Sequence, residues 1–413
     1  MTELFPKDFE DRRRSTRGTL IGRYMIGPNI LFENGHNWKR HRKVANPAFH
    51  RSMPVELFGR LTHKLFRVMD GLDADNIEFQ NLTIRWTLDA IGLAGFDFDF
   101  DAITSADSEW VRKYDSFNYE MFDPFFALMP WVERNFLWLF PQRKRIHQDL
   151  TDFLDMLDKV IENKRLAIAE GKTNTVIKEN EKDLLTLMIE SENETGVLSN
   201  EELKSDLCIF FLAGHDTTAN ALAFAAYYLA VNPDIQQKAR EEAIRVFGDA
   251  PEDILPNLEQ VKDLPYINQI MKETLRINPP APNITIRRTT QDVEVNGVII
   301  PKDHRVALDI YELQHNPKVW RNPDVFDPER FAPGGEAEQL SGQGMAWLPF
   351  SNGSRQCIGM AFSLAEQRVM LPMLLRKYEW SLPADSPHKD GIITTGRGII
   401  SPVDLKLSFK KRY

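Results

Sequence analysis

The chain has 413 residues, with 51 Lys and Arg against 60 Asp and Glu, giving a formal net charge of −9. At 42% hydrophobic and 27% charged it has an ordinary globular composition, which excludes disordered, collagen-like and fibrous classes. The acidic balance argues against general nucleic-acid binding, and two cysteines exclude a disulfide scaffold or a Cys-rich zinc site and point to a reducing compartment.

The N-terminus, MTELFPKDFEDRRRSTRG, is polar from the start and lacks the apolar core of a secretory signal, so residues 1–26 read as an irregular segment. Helical patterning follows near 37–46, 55–71, 81–94, 107–122, 144–169 and 183–192. The stretch from Met121 to Phe140 is aromatic-rich, but Asp123, Glu133 and Arg134 keep it from spanning a bilayer. It reads as core packing, or as a lid or membrane-touching surface. The polar run Gly171 to Asp183 is expected to be a solvated loop. A long helix is predicted from about Glu201 to Val231, with Asn200 as N-cap and Asn232-Pro233 as its stop. His215, Asp216, two threonines and Asn220 in its middle make it a buried helix of a large protein. Pro233 to Phe247 and Lys262 to Ile277 are further helices. From Ile284 to Leu308, β-branched residues and the turn Asn296-Gly297 predict a small hairpin sheet. Pro- and Gly-rich chain from Asn316 to Gly353 has little regular structure, and a long loop of that kind is usually functional. A last helix, Ile358 to Tyr378, precedes strand-like pieces. The expected class is mainly α, of α+β type, as a single domain over 1–413.

The sharpest chemical signal is FSNGSRQCIG, Phe350 to Gly359. Cys357 stands in a Gly-bearing loop just before a helix, where orphan N–H groups favour a thiolate. Gly353 and Gly359 let the backbone approach something bulky, and Arg355 offers a fixed fork for a carboxylate. This arrangement suits axial ligation of haem iron, against the alternative of a buried, inert cysteine. In the long helix, AGHDTT departs from helix propensity at Gly214 and the two threonines, which predicts a local distortion. An acid followed by an alcohol, Asp216 and Thr217, can relay protons in a wet notch, and the bland alternative is a satisfied core Asp. The pattern Glu-x-x-Arg begins at Glu10, Glu109, Glu162, Glu242 and Glu273, and only the last is followed by a Pro-rich exit, INPPAP, and then the predicted sheet.

The segment Phe350 to Gly359 resembles the haem-binding loop of cytochrome P-450 enzymes, Phe-x-x-Gly-x-Arg-x-Cys-x-Gly. The resemblance runs in order from about Gly27 to the C-terminus and looks most like the eukaryotic microsomal kind. It implies the P-450 fold, a large helical region with a small β-rich region and haem between the long central helix and the Cys loop. Cys357 would be the iron ligand, with Phe350, Gly353, Arg355 and Gly359 around the haem. Trp38 and Arg42 of NWKRHRK, with Arg287 or its neighbour Arg288, would contact the propionates. Glu273, Arg276 and Arg330 of DPERF would form a buried structural triad, and Asp216 with Thr217 the acid–alcohol pair. Candidate substrate-pocket residues are Phe210, Phe211, Ala213, Ala281 and Ile284.

The implied activity is insertion of one oxygen atom from O₂ into a lipophilic small molecule: a fatty acid, terpenoid, sterol or xenobiotic. Electrons would come from an NADPH-dependent flavoprotein reductase, docking on the basic face of Lys39, Arg40 and Lys43. The alternatives are a peroxide-using or hydroperoxide-rearranging haem-thiolate enzyme, and a non-catalytic haem-binding protein. Only 26 residues precede Gly27, too few for the family's anchor and first strands, so the resemblance implies a chain shortened at its N-terminus. The full-length form would be anchored at the endoplasmic reticulum membrane, whereas this chain shows no spanning segment.

Overall fold

The longest element is the helix Asn200–Val231, 32 residues, here called the central helix. Its cap is Ser199 rather than the expected Asn200. The Ser199 hydroxyl accepts the Glu202 N–H at 3.2 Å, while the Glu202 carboxylate accepts the Ser199 N–H at 2.9 Å. This reciprocal arrangement satisfies two donors at once. The expected distortion at Gly214 does not interrupt it, and Pro233 opens the next helix one residue after Asn232.

The computed structural model describes residues 14–51, 53–171, 182–195, 198–341, 345–395 and 398–413. The first 13 residues and most of the polar run from Gly171 to Asp183 lie outside these. Within the segment expected to be irregular, Leu20–Tyr24 is a one-turn helix capped by Thr19. The chain forms two units, each assembled from three segments: residues 1–52, 91–213 and 285–308, and residues 53–90, 214–284 and 309–413. The described strands are β1 Ile77–Glu78, β2 Arg287–Arg288, β3 Val293–Val295, β4 Val298–Ile300, β5 Arg305–Val306, β6 Tyr378–Ser381 and β7 Lys406–Lys411.

In the first unit, helix Gly35–Arg51 packs on Leu184–Thr195, and Glu109–Glu120 packs on Pro141–Ala169. Its core is aromatic: the Phe211 ring lies 4.5 Å from Phe96, 5.4 Å from Phe100 and 5.5 Å from Phe153, near the optimum for tilted rings. The predicted sheet divides into two antiparallel pairs, β2 with β5 and β3 with β4. Asn296 and Gly297 turn the second hairpin at φ +48° and +79°, the left-handed pair that a tight two-residue turn requires.

In the second unit, helices Val55–Met69, Pro233–Phe247 and Pro265–Ile277 pack on Met360–Lys377. The helix expected over Lys262 to Ile277 is broken: Leu258–Lys262 ends before Pro265, which opens its own helix at the position proline tolerates. The free N–H groups of Tyr266 and Ile267 donate to the Glu242 carboxylate at 2.9 and 2.8 Å, so that Glu-x-x-Arg copy is a helix cap rather than a solvated pair. β7 lies between β1 and β6, with Ile77 opposite Leu407 and Trp380 opposite Phe409.

Candidate active site

The loop Phe350 to Gly359 is folded by its own backbone. The Cys357 N–H donates to Phe350 O at 2.9 Å and the Gln356 N–H to Gly353 O at 3.0 Å. Gly353 sits at φ +72°, where any side chain is strained. Gly359 has an ordinary φ of −83°. A Cβ there would make an ordinary contact of 4.0 Å with Cys357 Sγ, so neither φ nor space within the chain requires the glycine. The Cys357 thiol is exposed, while Phe350 and Arg355 are half-buried. Gly359 caps helix Met360–Lys377, so the thiol precedes a helix N-terminus, where the dipole favours its anion. The second cysteine differs in kind: burial pushes the Cys208 thiol up to about 12, leaving it protonated.

On the central helix, Ala213 is exposed although it lies mid-length, and Thr217, one turn on, is half-buried, as is Asp216. His215 is buried, with Nε2 3.1 Å from Asp216 Oδ1. That contact restrains the carboxylate from its own helix.

Glu273, Arg276 and Arg330 are brought together. Arg276 donates from Nε and Nη2 to the two Glu273 oxygens at 2.7 and 2.9 Å, and Arg330 Nε reaches Oε1 at 3.3 Å. The Asp327 N–H adds a bond of 3.0 Å to the same oxygen. Burial raises the Glu273 carboxyl above its ordinary value, with Arg276 foremost in opposing the shift. The guanidinium groups also carry the loop behind them: Arg276 donates to Gln314 O at 2.8 Å and Pro323 O at 2.7 Å, and Arg330 to Asn322 O at 2.9 Å. Glu336 is a fourth, unforeseen member, buried and paired with Arg330.

Trp38 and Arg42 lie one turn apart on helix Gly35–Arg51, both half-buried. Between them His41 is fully buried, its Nδ1 2.7 Å from Asp206 Oδ2 on the central helix. Nothing in the sequence signals that pair. The expected basic face is reduced to Lys39 and Lys43, because Arg40 is engaged by Glu202. Arg287 and Arg288 are adjacent in β2, so their side chains leave opposite faces. Burial lowers the Arg287 pKa.

Phe210 and Phe211 are core residues. Phe210 packs on Phe49 at 5.0 Å and Phe211 fills the centre of the aromatic cluster, so neither ring lines an accessible surface. Ala281 and Ile284 are half-buried.

Among the described residues, no group of three or more His, Cys, Asp or Glu is placed to hold a metal ion. Cys357 therefore offers a single protein ligand. One exposed thiol fits an iron whose other ligands would come from a macrocycle, and arginine forks would fit the carboxylates of such a group.

The sequence profile described as cytochrome P450 matches residues 4–404. Protein LUTEIN DEFICIENT 5, chloroplastic, of Arabidopsis thaliana is 27% identical over 398 residues, covering 94% of this chain and 65% of the relative. Cytochrome P450 4A11 of Homo sapiens is 31% identical over 373 residues, covering 86% and 68%. Taurochenodeoxycholic 6 alpha-hydroxylase of Sus scrofa is 29% identical over 396 residues, covering 94% and 76%. The chain thus spans 65 to 76% of the length of these relatives. The crystal structure of the cytochrome P450DA heme domain superposes with a TM-score of 0.81 at 25% identity, covering 99% of this chain and 84% of that one. The chain belongs to the cytochrome P450 family, whose fold holds haem on a cysteine thiolate.

Proposed function

We propose that this chain is a haem-thiolate monooxygenase that inserts one oxygen atom from O₂ into a lipophilic small molecule. The observation that carries the reading is the exposed Cys357 thiol, presented by a glycine-turned loop ahead of a helix N-terminus. Haem, when bound, supplies the O₂ chemistry, and a thiolate ligand favours O–O cleavage. The protein's part is binding, orientation and proton supply. Cys357 holds the iron, from a loop that Gly353 turns at φ +72°. Arg355, Arg42 and Arg287, with Trp38, are the groups for the haem carboxylates and edge. Asp216, restrained by His215, and Thr217 move protons to the site where O₂ is reduced. The Glu273–Arg276–Arg330 triad keeps the loop behind the haem fixed.

Electrons come from an NADPH-dependent flavoprotein reductase, drawn by Lys39 and Lys43 on an otherwise acidic chain. The names of the relatives, which include a bile-acid hydroxylase, support hydroxylation of a lipid-like substrate: a fatty acid, terpenoid, sterol or xenobiotic. The test is NADPH consumption with a reductase against a panel of such compounds, with product analysis. Oxidised product containing one atom of labelled O₂ supports the reading. Reductase-independent turnover with peroxide alone, or ligand binding without product, overturns it.

We also propose that the first unit rests on a membrane, in keeping with an endoplasmic reticulum location for the family's microsomal members. The described helix long and apolar enough to cross a bilayer is the central helix, most of which is buried inside the chain. A different surface supports contact. Helices Pro124–Leu128 and Pro130–Phe136, with the turn Leu137–Leu139, expose Leu128 at 82%, Trp138 at 70%, Leu139 at 54% and Trp131 at 51%. The inner side is clamped by buried Glu133, which binds Arg143 Nε at 2.9 Å and His147 Nε2 at 2.8 Å. Exposed Arg134 lies on the second of these helices, and exposed Lys144 and Arg145 follow in the next helix. Exposed tryptophan and leucine with basic residues close in sequence suit the headgroup region of an anionic bilayer.

A further inference from the structure

Asparagine is followed by glycine at Asn34-Gly35, Asn296-Gly297 and Asn352-Gly353. Glycine has no side chain to shield its nitrogen, so in such a pair that nitrogen can reach the carboxamide before it. Whether it does depends on how each asparagine is held. Asn296 is left-handed at φ +48°, in a tight turn pinned by the pairing of β3 with β4. Asn34 is tied to the start of helix Gly35–Arg51, where its carbonyl accepts the Trp38 N–H at 3.3 Å. Asn352 differs from both. Its backbone is extended, at φ −152° and ψ 172°, and both it and Gly353 are exposed. Its Oδ1 accepts the Gly353 N–H at 2.5 Å, and its Nδ2 donates to Met345 Sδ at 2.9 Å. The carboxamide is therefore fixed at both ends, with its carbonyl against the nitrogen that would attack it.

We propose that Asn352 is a site of spontaneous deamidation, and that this modification limits the working life of the Cys357 loop. The Gly353 nitrogen gives its proton to water and bonds to Asn352 Cγ. The Cγ–Nδ2 bond breaks, and the nitrogen takes a proton from water and leaves as ammonia. Water then opens the cyclic imide at either carbonyl, leaving aspartate or isoaspartate at position 352. Overall one water is consumed and one ammonia released. Nothing is oxidised or reduced, and no other reactant is needed.

The isoaspartyl product routes the backbone through Cβ and Cγ, adding one atom to the chain between residues 352 and 353. That atom falls inside the ring that the Cys357 N–H closes on Phe350 O at 2.9 Å. It also adjoins Gly353, whose carbonyl holds the Gln356 N–H at 3.0 Å. Either product puts a carboxylate on the loop that must carry a thiolate, and a like charge disfavours the second anion. Deamidation thus loosens the loop and opposes the ionisation of Cys357. The consequence for haem rests on the monooxygenase reading, in which Cys357 holds the iron, whereas the deamidation does not.

The experiment ages the folded, haem-loaded protein in mildly alkaline buffer and follows it by peptide mapping and haem absorbance. Trypsin places the asparagines in separate peptides, residues 24–39, 289–302 and 331–355, so each chain is its own control. The 331–355 peptide should gain one mass unit several-fold faster than the other two and resolve into aspartyl and isoaspartyl forms. The isoaspartyl form should accept a methyl group from an isoaspartyl methyltransferase. Haem should be lost from the modified fraction first. Asn352→Gln keeps an amide but needs a larger ring that closes more slowly, and Asn352→Ala has no carboxamide, so both should suppress the mass change and slow the haem loss. If the 331–355 peptide changes no faster than the others, or changes only in urea-unfolded chain, the site is overturned. If it changes as described but the isoaspartyl fraction keeps its haem as long as the unmodified protein, the limit on the loop's life is overturned. If no form binds haem and the mass change still occurs, the monooxygenase reading fails while the deamidation site stands.

Discussion

Glu273→Ala removes a carboxylate that takes two hydrogen bonds from Arg276 and one from Arg330, all from buried donors. The two arginines are not left alike. Arg276 is wholly buried and keeps the carbonyls of Gln314, Pro323 and Val325 and the Trp320 ring, none of them charged, so its own charge is stranded. Arg330 retains Glu336 and Asn322 O. Removing one member of a buried pair costs about 3–5 kcal/mol, and that range applies here because Arg276 has no route to water. Arg330→Ala leaves Glu273 with Arg276 and the Asp327 N–H but takes the charged partner from buried Glu336, so it should cost about 3 kcal/mol, the lower end of that range. The pair Glu273→Leu with Arg276→Met should recover only part of the loss, because Arg276 also satisfies three carbonyls. Urea titration followed by tryptophan fluorescence suits the measurement, since the Trp320 ring lies 5.4 Å from the Arg276 guanidinium. A Glu273→Ala protein within about 1 kcal/mol of the parent would refute the picture of a dry triad.

Cys357→Ser should abolish the red-shifted carbon monoxide band of reduced thiolate haem, while Cys208→Ser, at a buried protonated thiol, should keep it. Thr217→Ala should retain haem content and substrate-induced spectral shifts yet divert reducing equivalents to peroxide, read as peroxide formed per NADPH. Leu128→Glu with Trp138→Glu should release the chain from anionic vesicles in co-sedimentation while leaving its thermal midpoint within about 2 °C, since exposed side chains contribute little to the fold. At Glu202, burial opposes ionisation, but Arg40 and the Ser199 N–H and hydroxyl overcome it and bring the carboxyl down from 4.5 to about 2. Stability from this group is therefore complete above about 4.5 and lost as pH falls towards 2. Glu202→Gln should flatten the acid-unfolding curve in that window by up to about 3 kcal/mol, and an unchanged curve would remove Glu202 from the account.

The Cys357 loop was legible because its chemistry is contiguous: ten residues carry the ligand, the glycines and the fork. The Asn296-Gly297 turn and the Asn232-Pro233 stop were legible for the same reason, each being a local demand on φ. What failed needed the third dimension. Of the five copies of Glu-x-x-Arg, the one at Glu273 was marked by the Pro-rich exit after it, but nothing in the sequence announced that Glu242 caps the helix at Pro265. Phe210 and Phe211 were candidate pocket residues by their place on the central helix, and a helix that is apolar around much of its girth does not declare which side is core. Asn200 and Ser199 are both good caps by type, and the reciprocal bond from Glu202 decides between them.

The interleaving of the two units sets an order on synthesis. The first unit takes residues up to 308, so it lacks nothing once that point has left the ribosome, apart from the exit-tunnel lag. The second opens at residue 53 but closes only at the C-terminus, where β7 inserts between β1 and β6 and brings Leu407 opposite Ile77. Helix Val55–Met69 and β1 therefore wait through more than three hundred further residues before their last neighbour exists. At roughly 5–20 residues per second that is an interval of tens of seconds with apolar surface open. Loss of even the last dozen residues would leave the second unit without the strand that finishes it, however intact the Cys357 loop upstream remained.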